Sequence, residues 1–263
     1  RCRSQPRERK DRMEETQPPR RLLAPLWHTA LVLALVLGIS WAGVLTRHLT
    51  GNTAPRGGMA HPSHILGYLI SLAWEWILLA FVWWGLRMRG TPFPQIFGLR
   101  RTGASELWME VAIALGFWFA SLIVLSLDAS LLRFAHLHPE NVRGIVSQLA
   151  PASAVELALW TALSISAGIC EELIFRGYLQ QQFTALTRSA ALGIAIAAIL
   201  FGSAHLYEGV SGALLIMLYG ALFGILAHLR RSLRPGIFAH AWHDVLSGFV
   251  LYLGAHFFSR LPH

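Results

Sequence analysis

Charged residues are scarce in this chain: Asp, Glu, Lys and Arg make up 14% of its 263 residues, whereas 54% are hydrophobic. A soluble globular protein carries about 25% charged residues. Three long stretches hold none of the four charged types: 22–46, 189–207 and 209–229. Stretches of about 18 or more such residues can cross a bilayer as helices. The composition therefore excludes a soluble enzyme and predicts a polytopic membrane protein whose first partner is the lipid bilayer.

The chain has only two cysteines and no pattern typical of nucleic-acid binding. Cys2 lies in a polar segment and Cys170 in an apolar one, so they are poor disulfide partners. No loop carries a basic stripe with interleaved aromatic residues. The net charge of +8 is therefore no sign of nucleic-acid binding, and we expect no nucleic-acid partner.

The pattern predicts an all-α fold, a polytopic transmembrane helical bundle of about seven spans. Residues 1–21 form a basic tail, 22–150 hold three spans with their loops, and 151–263 form a four-helix core. In the loop 128–156, two apolar runs favour a short helix lying in the membrane interface. The predicted spans are 26–46, 65–86, 107–127, 157–176, 190–207, 211–229 and 236–258.

Basic residues alternate between the loops on the two sides of this arrangement. With the N-terminus in the cytoplasm, 17 of the 22 Lys and Arg residues fall in the tail and the cytoplasmic loops. Cytoplasmic loops are the ones enriched in Lys and Arg. We therefore expect a multi-pass protein with a cytoplasmic N-terminus and an external C-terminus.

Ionisable residues inside the predicted spans are candidates for function, because a charge buried in a membrane is costly unless it is paired. Glu172 and Arg176 are i,i+4 neighbours, which predicts a structural ion pair. Glu171 then points about 100° away and lacks a local partner. His240 and Asp244 share one helical face, where they can bind a metal or one can orient the other.

Three further ionisable residues lie in or next to the predicted spans. His205 follows an apolar run, and taken alone it is interpreted as a packed or interfacial residue rather than a functional one. His243 lies off the face of His240 and is interpreted as a bystander. Glu75 lies within the second span, where His64 or Arg87 could pair with it if the fold allowed, and we leave it outside the predicted site. A buried Glu of this kind also suits a proton-coupled transporter, the least favoured hypothesis.

Three motifs in this order, EExxxR at 171–176, FxxxH at 201–205 and HxxxD at 240–244, resemble the CPBP family of intramembrane proteases. That family includes the CaaX prenyl-protein endopeptidases and bacterial proteins linked to bacteriocin self-immunity. The resemblance covers roughly residues 155–250. It implies an intramembrane endopeptidase acting on a peptide or protein at the membrane, and it favours a bacterial plasma membrane.

The resemblance also implies a role for each matching residue. Glu171 would activate the attacking water with help from His205, and Glu172 with Arg176 would be the structural pair. His240 and residue 244 would stabilise the oxyanion. The family often has Asn where this chain has Asp244, and ionised Asp cannot donate a hydrogen bond. Asp244 would therefore have to be protonated, orient His240 or ligate a metal.

The cofactor stays open at this stage: none, or one divalent metal such as zinc. Glu171, His205, His240 and Asp244 are chemically adequate zinc ligands, with one carboxylate left as base. The chain lacks HExxH and GxSxG, so neither a zincin nor a serine-nucleophile elbow is supported. The resemblance favours a metal-free, glutamate-dependent mechanism. A non-catalytic immunity or scaffold protein of the same family is the alternative function.

Straight helices would keep these residues apart. His205 would lie about 27 Å along its helix from the turn near Thr187, but His240 only about 6 Å from the turn at Pro235 on the same side. Short, tilted or broken helices are therefore expected around the site.

Overall fold

The protein is a bundle of α-helices. A computed structural model describes residues 21–50, 64–92, 94, 96, 103–134 and 150–258, and these ranges contain no β-strand. The predicted tail therefore lies, apart from Arg21, outside the described residues. The elements are α1 (Leu26–Thr50), α2 (Ile65–Met88), α3 (Ala104–Phe134), α4 (Ala154–Glu171), a π-helical segment (Glu172–Leu179), α5 (Gln180–Thr187), α6 (Ala190–Ala204), a 3-10 turn (Leu206–Glu208), α7 (Val210–Arg230) and α8 (Arg234–Phe258).

Within the described ranges, four helical stretches are long and apolar enough to cross a membrane: α2, α3, the continuous run Ala154–Thr187, and α7. The part Leu26–Ala42 of α1 and the whole of α6 are apolar but shorter. These findings confirm an all-α membrane bundle. Each of the seven predicted spans coincides largely with helix, although 157–176 ends in the π-helical segment and 190–207 runs past α6 into the 3-10 turn. That all seven cross the bilayer stays a prediction.

One boundary was wrong. The sequence predicts a loop at 128–156, but α3 continues to Phe134. No Gly or Pro interrupts 128–134, and the apolar residues there prolong the helix. The remaining part of the predicted interfacial helix, 135–149, lies outside the described residues. The next helix begins at the N-cap Ser153, whose Oγ accepts the Glu156 N–H (3.2 Å), while Glu156 Oε2 reaches back to accept the N–H of Ala152, the residue before the cap (2.7 Å).

The helices after residue 153 form the centre of the bundle: the continuous run from α4 to α5, then α6, α7 and α8. The run from α4 to α5 packs on α8 and α6, α6 packs on α7, and the N-terminal helices α2 and α3 lie against α4 and α8. At Gly168, a Cβ atom would lie 2.8 Å from the backbone nitrogen of Ala241, so only glycine lets α4 and α8 approach this closely. This contact brings Glu171 and Glu172 beside His240.

A polar network ties α1 to the central rods. His28 is fully buried; its Nε2–H donates to the carbonyl of Phe81 (3.0 Å), so its Nδ1 accepts from the hydroxyl of Tyr178 (3.1 Å). Tyr178 is 2.8 Å from the hydroxyl of Thr29, which in turn accepts from Nε2 of Gln182 (2.9 Å). These bonds satisfy polar groups that would otherwise be costly to bury and fix the position of α1.

Candidate active site

A buried ion pair forms the floor of the site. Arg176 Nη1 lies 3.0 Å from Glu172 Oε1, and both side chains are almost completely buried. Nη2 of Arg176 donates to the carbonyl of Gly220 (3.1 Å), and the guanidinium carbon lies 4.3 Å from the centre of the Phe201 ring. The two charges are thus paired, and Arg176 also donates to a backbone carbonyl. Arg176 Nη1 and Glu172 Oε2 have no hydrogen-bond partner among the described residues, so the ion pair itself is the main compensation for burying the two charges.

His240 connects this floor to two further carboxylates. Its Nδ1 lies 3.1 Å from Glu172 Oε1, and its Nε2 lies 3.7 Å from Glu171 Oε2 and 3.5 Å from Asp244 Oδ2. The imidazole also stacks on Phe223, with ring centres 5.3 Å apart. Carboxylates face both ring nitrogens, an arrangement that suits the doubly protonated imidazolium, in which both nitrogens donate.

The two adjacent glutamates differ in accessibility. The side chain of Glu172 is 1% exposed, whereas those of Glu171 and Asp244 are 22% and 31% exposed. Glu172 is therefore sealed between Arg176 and His240. Glu171 and Asp244 line the part of the site that water or a substrate can reach.

His205 lies beside this cluster at the end of α6. Its Nδ1–H donates to the carbonyl of Phe201 (2.8 Å), which leaves Nε2 as an acceptor. The Phe201 ring contacts both His205 and His240, with ring centres 4.8 Å and 6.2 Å apart. His205 is within electrostatic range of Asp244, although no hydrogen bond or ion pair joins it to Glu171 in the described part of the chain.

The backbone explains how residues from different predicted depths come together. Helix α6 has only 15 residues, and the 3-10 turn Leu206–Glu208 follows it directly. On the opposite side, α4 changes to π-helical geometry at Glu172. The short helix and the altered winding are the kind of irregularity that the straight-helix conflict predicted.

Glu75 lies next to the site, although the sequence analysis left it outside. Its Oε2 accepts a hydrogen bond from Ser166 of α4 (2.6 Å), and Glu171, His240 and Asp244 are within electrostatic range. Its partner is therefore neither His64 nor Arg87. A carboxylate in the middle of an apolar span already marked Glu75 in the sequence as a candidate. Its partner Ser166 lies on another helix and could not be identified from local spacing.

The 3-10 turn adds a carboxylate that the sequence analysis missed. Glu208 interacts with the hydroxyl of Tyr207. Burial raises the pKa of the Glu208 carboxyl, and the charges of Asp244 and Glu171 add to the rise while His205 opposes it. Glu208 is the one charged residue between two uncharged stretches, which is the pattern that could have identified it.

His243 faces away from the cluster, as its position on the helix predicted. Its Nδ1 accepts from the indole N–H of Trp118 on α3 (3.2 Å), and its ring lies against Tyr219. Cys170 is a buried free thiol next to Ser166. Among the described residues, neither side chain hydrogen-bonds to the carboxylates around His240, although His243 lies within electrostatic range of Asp244 and Cys170 within electrostatic range of Glu171.

The side chains around His240 do not have the arrangement of a metal site. Among the described residues, no three His, Cys, Asp or Glu side chains are grouped so that they could hold a metal ion. Glu171, His205, His240 and Asp244, the four candidate ligands, therefore lie near one another without converging on one point. The arrangement suits proton transfer and hydrogen bonding to a developing charge.

The comparison with known families concerns the segment that builds this site. The family model described as Type II CAAX prenyl endopeptidase Rce1-like matches residues 153–246. The match begins at the N-cap of α4 and ends in α8, and it includes all six predicted site residues. No curated protein and no solved structure matches the chain.

Proposed function

We propose that the protein is an intramembrane endopeptidase that hydrolyses a peptide bond with activated water, and the match of residues 153–246 to the Type II CAAX prenyl endopeptidase Rce1-like family model supports this proposal. The observation that carries this proposal is the different accessibility of the two glutamates. Glu171 is accessible beside an imidazole, whereas Glu172 is sealed in an ion pair. One carboxylate is thus available for chemistry and the other holds the framework.

In the proposed mechanism, Glu171 is the general base. A water between Glu171 and Nε2 of His205 would lose a proton to the carboxylate and attack the scissile carbonyl carbon. Both groups offer lone pairs, since Nδ1 of His205 carries its proton toward Phe201. Protonated Glu171 would then return the proton to the leaving amine. General acid–base catalysis of this kind contributes about 10²–10⁴-fold.

The oxyanion would form near Nε2 of His240. An imidazolium held by Glu172 through Nδ1 presents its second N–H toward the accessible part of the site. Asp244, 3.5 Å from Nε2, would orient that group, or donate a hydrogen bond itself when protonated. Substrates would be peptides or proteins presented at the membrane.

The test is a comparison of new protein N-termini in membranes that contain equal amounts of wild-type protein or Glu171→Gln. Exchange of exposed Glu106 on α3, as Glu106→Gln, is the matched control. We expect N-termini that occur with wild type and Glu106→Gln and disappear with Glu171→Gln. Identical N-termini in all three membranes, with all proteins folded, would reject the peptidase and favour a scaffold or immunity function.

A further inference from the structure

A cavity lies away from the carboxylates, at the end of the bundle where α5 and α7 end and α8 begins. Its volume is about 500 Å³. Four of its lining residues are basic, and no described Asp or Glu lines it. The basic residues come from three parts of the chain: Arg21 precedes α1, Arg176 belongs to the π-helical segment, and His228 and Arg231 lie at the end of α7.

The charge in this cavity is largely uncompensated. Arg176 at its inner end is neutralised by Glu172. Arg21 and Arg231 form no ion pair with any carboxylate in the described ranges, whereas the neighbouring Arg230 pairs with Glu110 (3.5 Å). Two guanidinium groups are thus available to an anion, and guanidinium is well matched to phosphate.

The backbone places Arg231 in an unfavourable conformation. Its φ of 52° lies in the left-handed region, at the C-terminal end of α7, where glycine is usually preferred. Arginine at this position adds a charged side chain to the cavity wall, whereas the glycine usually found in this conformation would add none.

A buried hydrogen-bond acceptor also lines the cavity. Gln180 donates through Nε2 to the carbonyl of Gly224 (3.1 Å), but its Oε1 is buried without a partner among the described residues. An unsatisfied buried acceptor indicates a missing donor, such as a hydroxyl group. Beside it, Ser232 accepts the Arg234 N–H, so the Ser232 hydroxyl proton remains available to donate.

We propose that this cavity binds the headgroup of an anionic phospholipid, with the phosphate on Arg21 and Arg231 and a headgroup hydroxyl on Oε1 of Gln180. The location supports a lipid, because the ends of membrane helices lie at the level of the headgroups, where basic pockets between helices bind anionic lipids. Apolar side chains including Leu23 and Leu233 complete the wall. The inference is independent of peptide hydrolysis, since Glu171, His240 and Asp244 do not line the cavity.

The test measures thermal unfolding of the detergent-solubilised full chain during titration with dihexanoylphosphatidylglycerol, dihexanoylphosphatidylcholine or inorganic phosphate. Arg231→Gly removes the cation while accepting the left-handed backbone, so this variant retains the fold. Arg230→Gln removes the same charge outside the cavity. We expect saturable stabilisation by phosphatidylglycerol, weakened about tenfold or more in Arg231→Gly and unchanged in Arg230→Gln.

Three results would overturn the proposal. Equal stabilisation by phosphatidylcholine would show that the negative headgroup is not recognised. Equal affinity of Arg231→Gly and wild type would remove the cavity as the site. Inorganic phosphate binding as tightly as phosphatidylglycerol would assign the site to a soluble anion rather than to a lipid.

Discussion

Nδ1 of His240 lies 3.1 Å from Oε1 of Glu172, a residue 68 positions earlier in the chain. The same oxygen is 3.0 Å from Nη1 of Arg176. One sealed carboxylate therefore holds both a structural cation and the imidazole proposed to stabilise the oxyanion. This shared contact makes the framework of the site and its chemistry depend on each other.

Glu172→Gln should destabilise the protein strongly, because Arg176 would remain buried without its counter-charge. Breaking a buried pair of this kind costs about 3–5 kcal/mol. Thermal unfolding in detergent measures the effect. The double variant Glu172→Gln with Arg176→Met should recover most of the loss, since no unpaired charge remains.

The matched control for this buried pair is the more accessible pair of Arg230, which is 40% exposed, and Glu110, which is 12% exposed. Arg230→Gln should change the free energy of unfolding by about 0–1 kcal/mol. If Glu172→Gln were as mild as Arg230→Gln, the ion pair would not be the structural floor of the site.

Asp244→Asn should retain activity within about tenfold of wild type. The amide oxygen can still accept from Nε2 of His240, and the amide N–H can donate to an oxyanion. Asp244→Leu, which removes both capabilities, should lose activity by about 10²-fold or more. The initial rate of cleavage of a substrate found through its new N-terminus gives the comparison; an inactive but folded Asp244→Asn would show that the ionised carboxylate is required.

Glu208 should make stability depend on pH. Because burial raises its pKa in the folded protein, the folded state holds this proton more tightly than the unfolded chain. The stabilising effect of the protonated Glu208 carboxyl is fully present below the ordinary pKa of Glu, about 4.3. It is lost as the pH rises through the raised pKa that Glu208 has in the folded protein. Glu208→Gln avoids this loss, so its melting temperature should exceed that of wild type by a margin that grows with pH.

The control for this pH series is Glu106→Gln, which removes an exposed carboxylate from the first turn of α3. Its melting temperature should follow that of wild type across the same range. A constant difference between Glu208→Gln and wild type from pH 4 to 8 (roughly the range in which native carboxylates titrate) would contradict the assigned effect of burial.

Gly85→Ala should disrupt the anchoring of α1. An added Cβ at Gly85 would overlap the ring of His28, which is held by Tyr178 and Phe81. Overpacking of this kind costs about 1–3 kcal/mol. Gly67→Ala is the control in the same helix, because nothing lies within 4 Å of its added Cβ; it should be neutral or gain up to about 1 kcal/mol. Equal melting temperatures for the two variants would contradict the close contact.

The sequence predicted the helices well because uncharged stretches and helical spacing report directly on membrane burial. The Glu172–Arg176 contact also followed from spacing within one helix. Contacts between helices did not follow in the same way. Glu75 accepts a hydrogen bond from Ser166, which is 91 positions later in the chain. Glu208 lies near the carboxylates because of a 3-10 turn that no local sequence pattern predicted. The extension of α3 to Phe134 was missed because an apolar helix end resembles an interfacial helix.

The π-helical segment has a consequence for how this chain can vary in length. A π-helix takes more residues for each turn than an α-helix. Deleting one of residues 173–175 removes a position between Glu171 and Arg176, and the two side chains keep their relative direction only if the wider π-helical winding tightens to α-helical winding. If the winding stayed as it is, the same deletion would turn Glu171 away from its present direction relative to Arg176. Loops elsewhere can gain or lose residues freely, whereas in this segment a change of length must be matched by a change of winding.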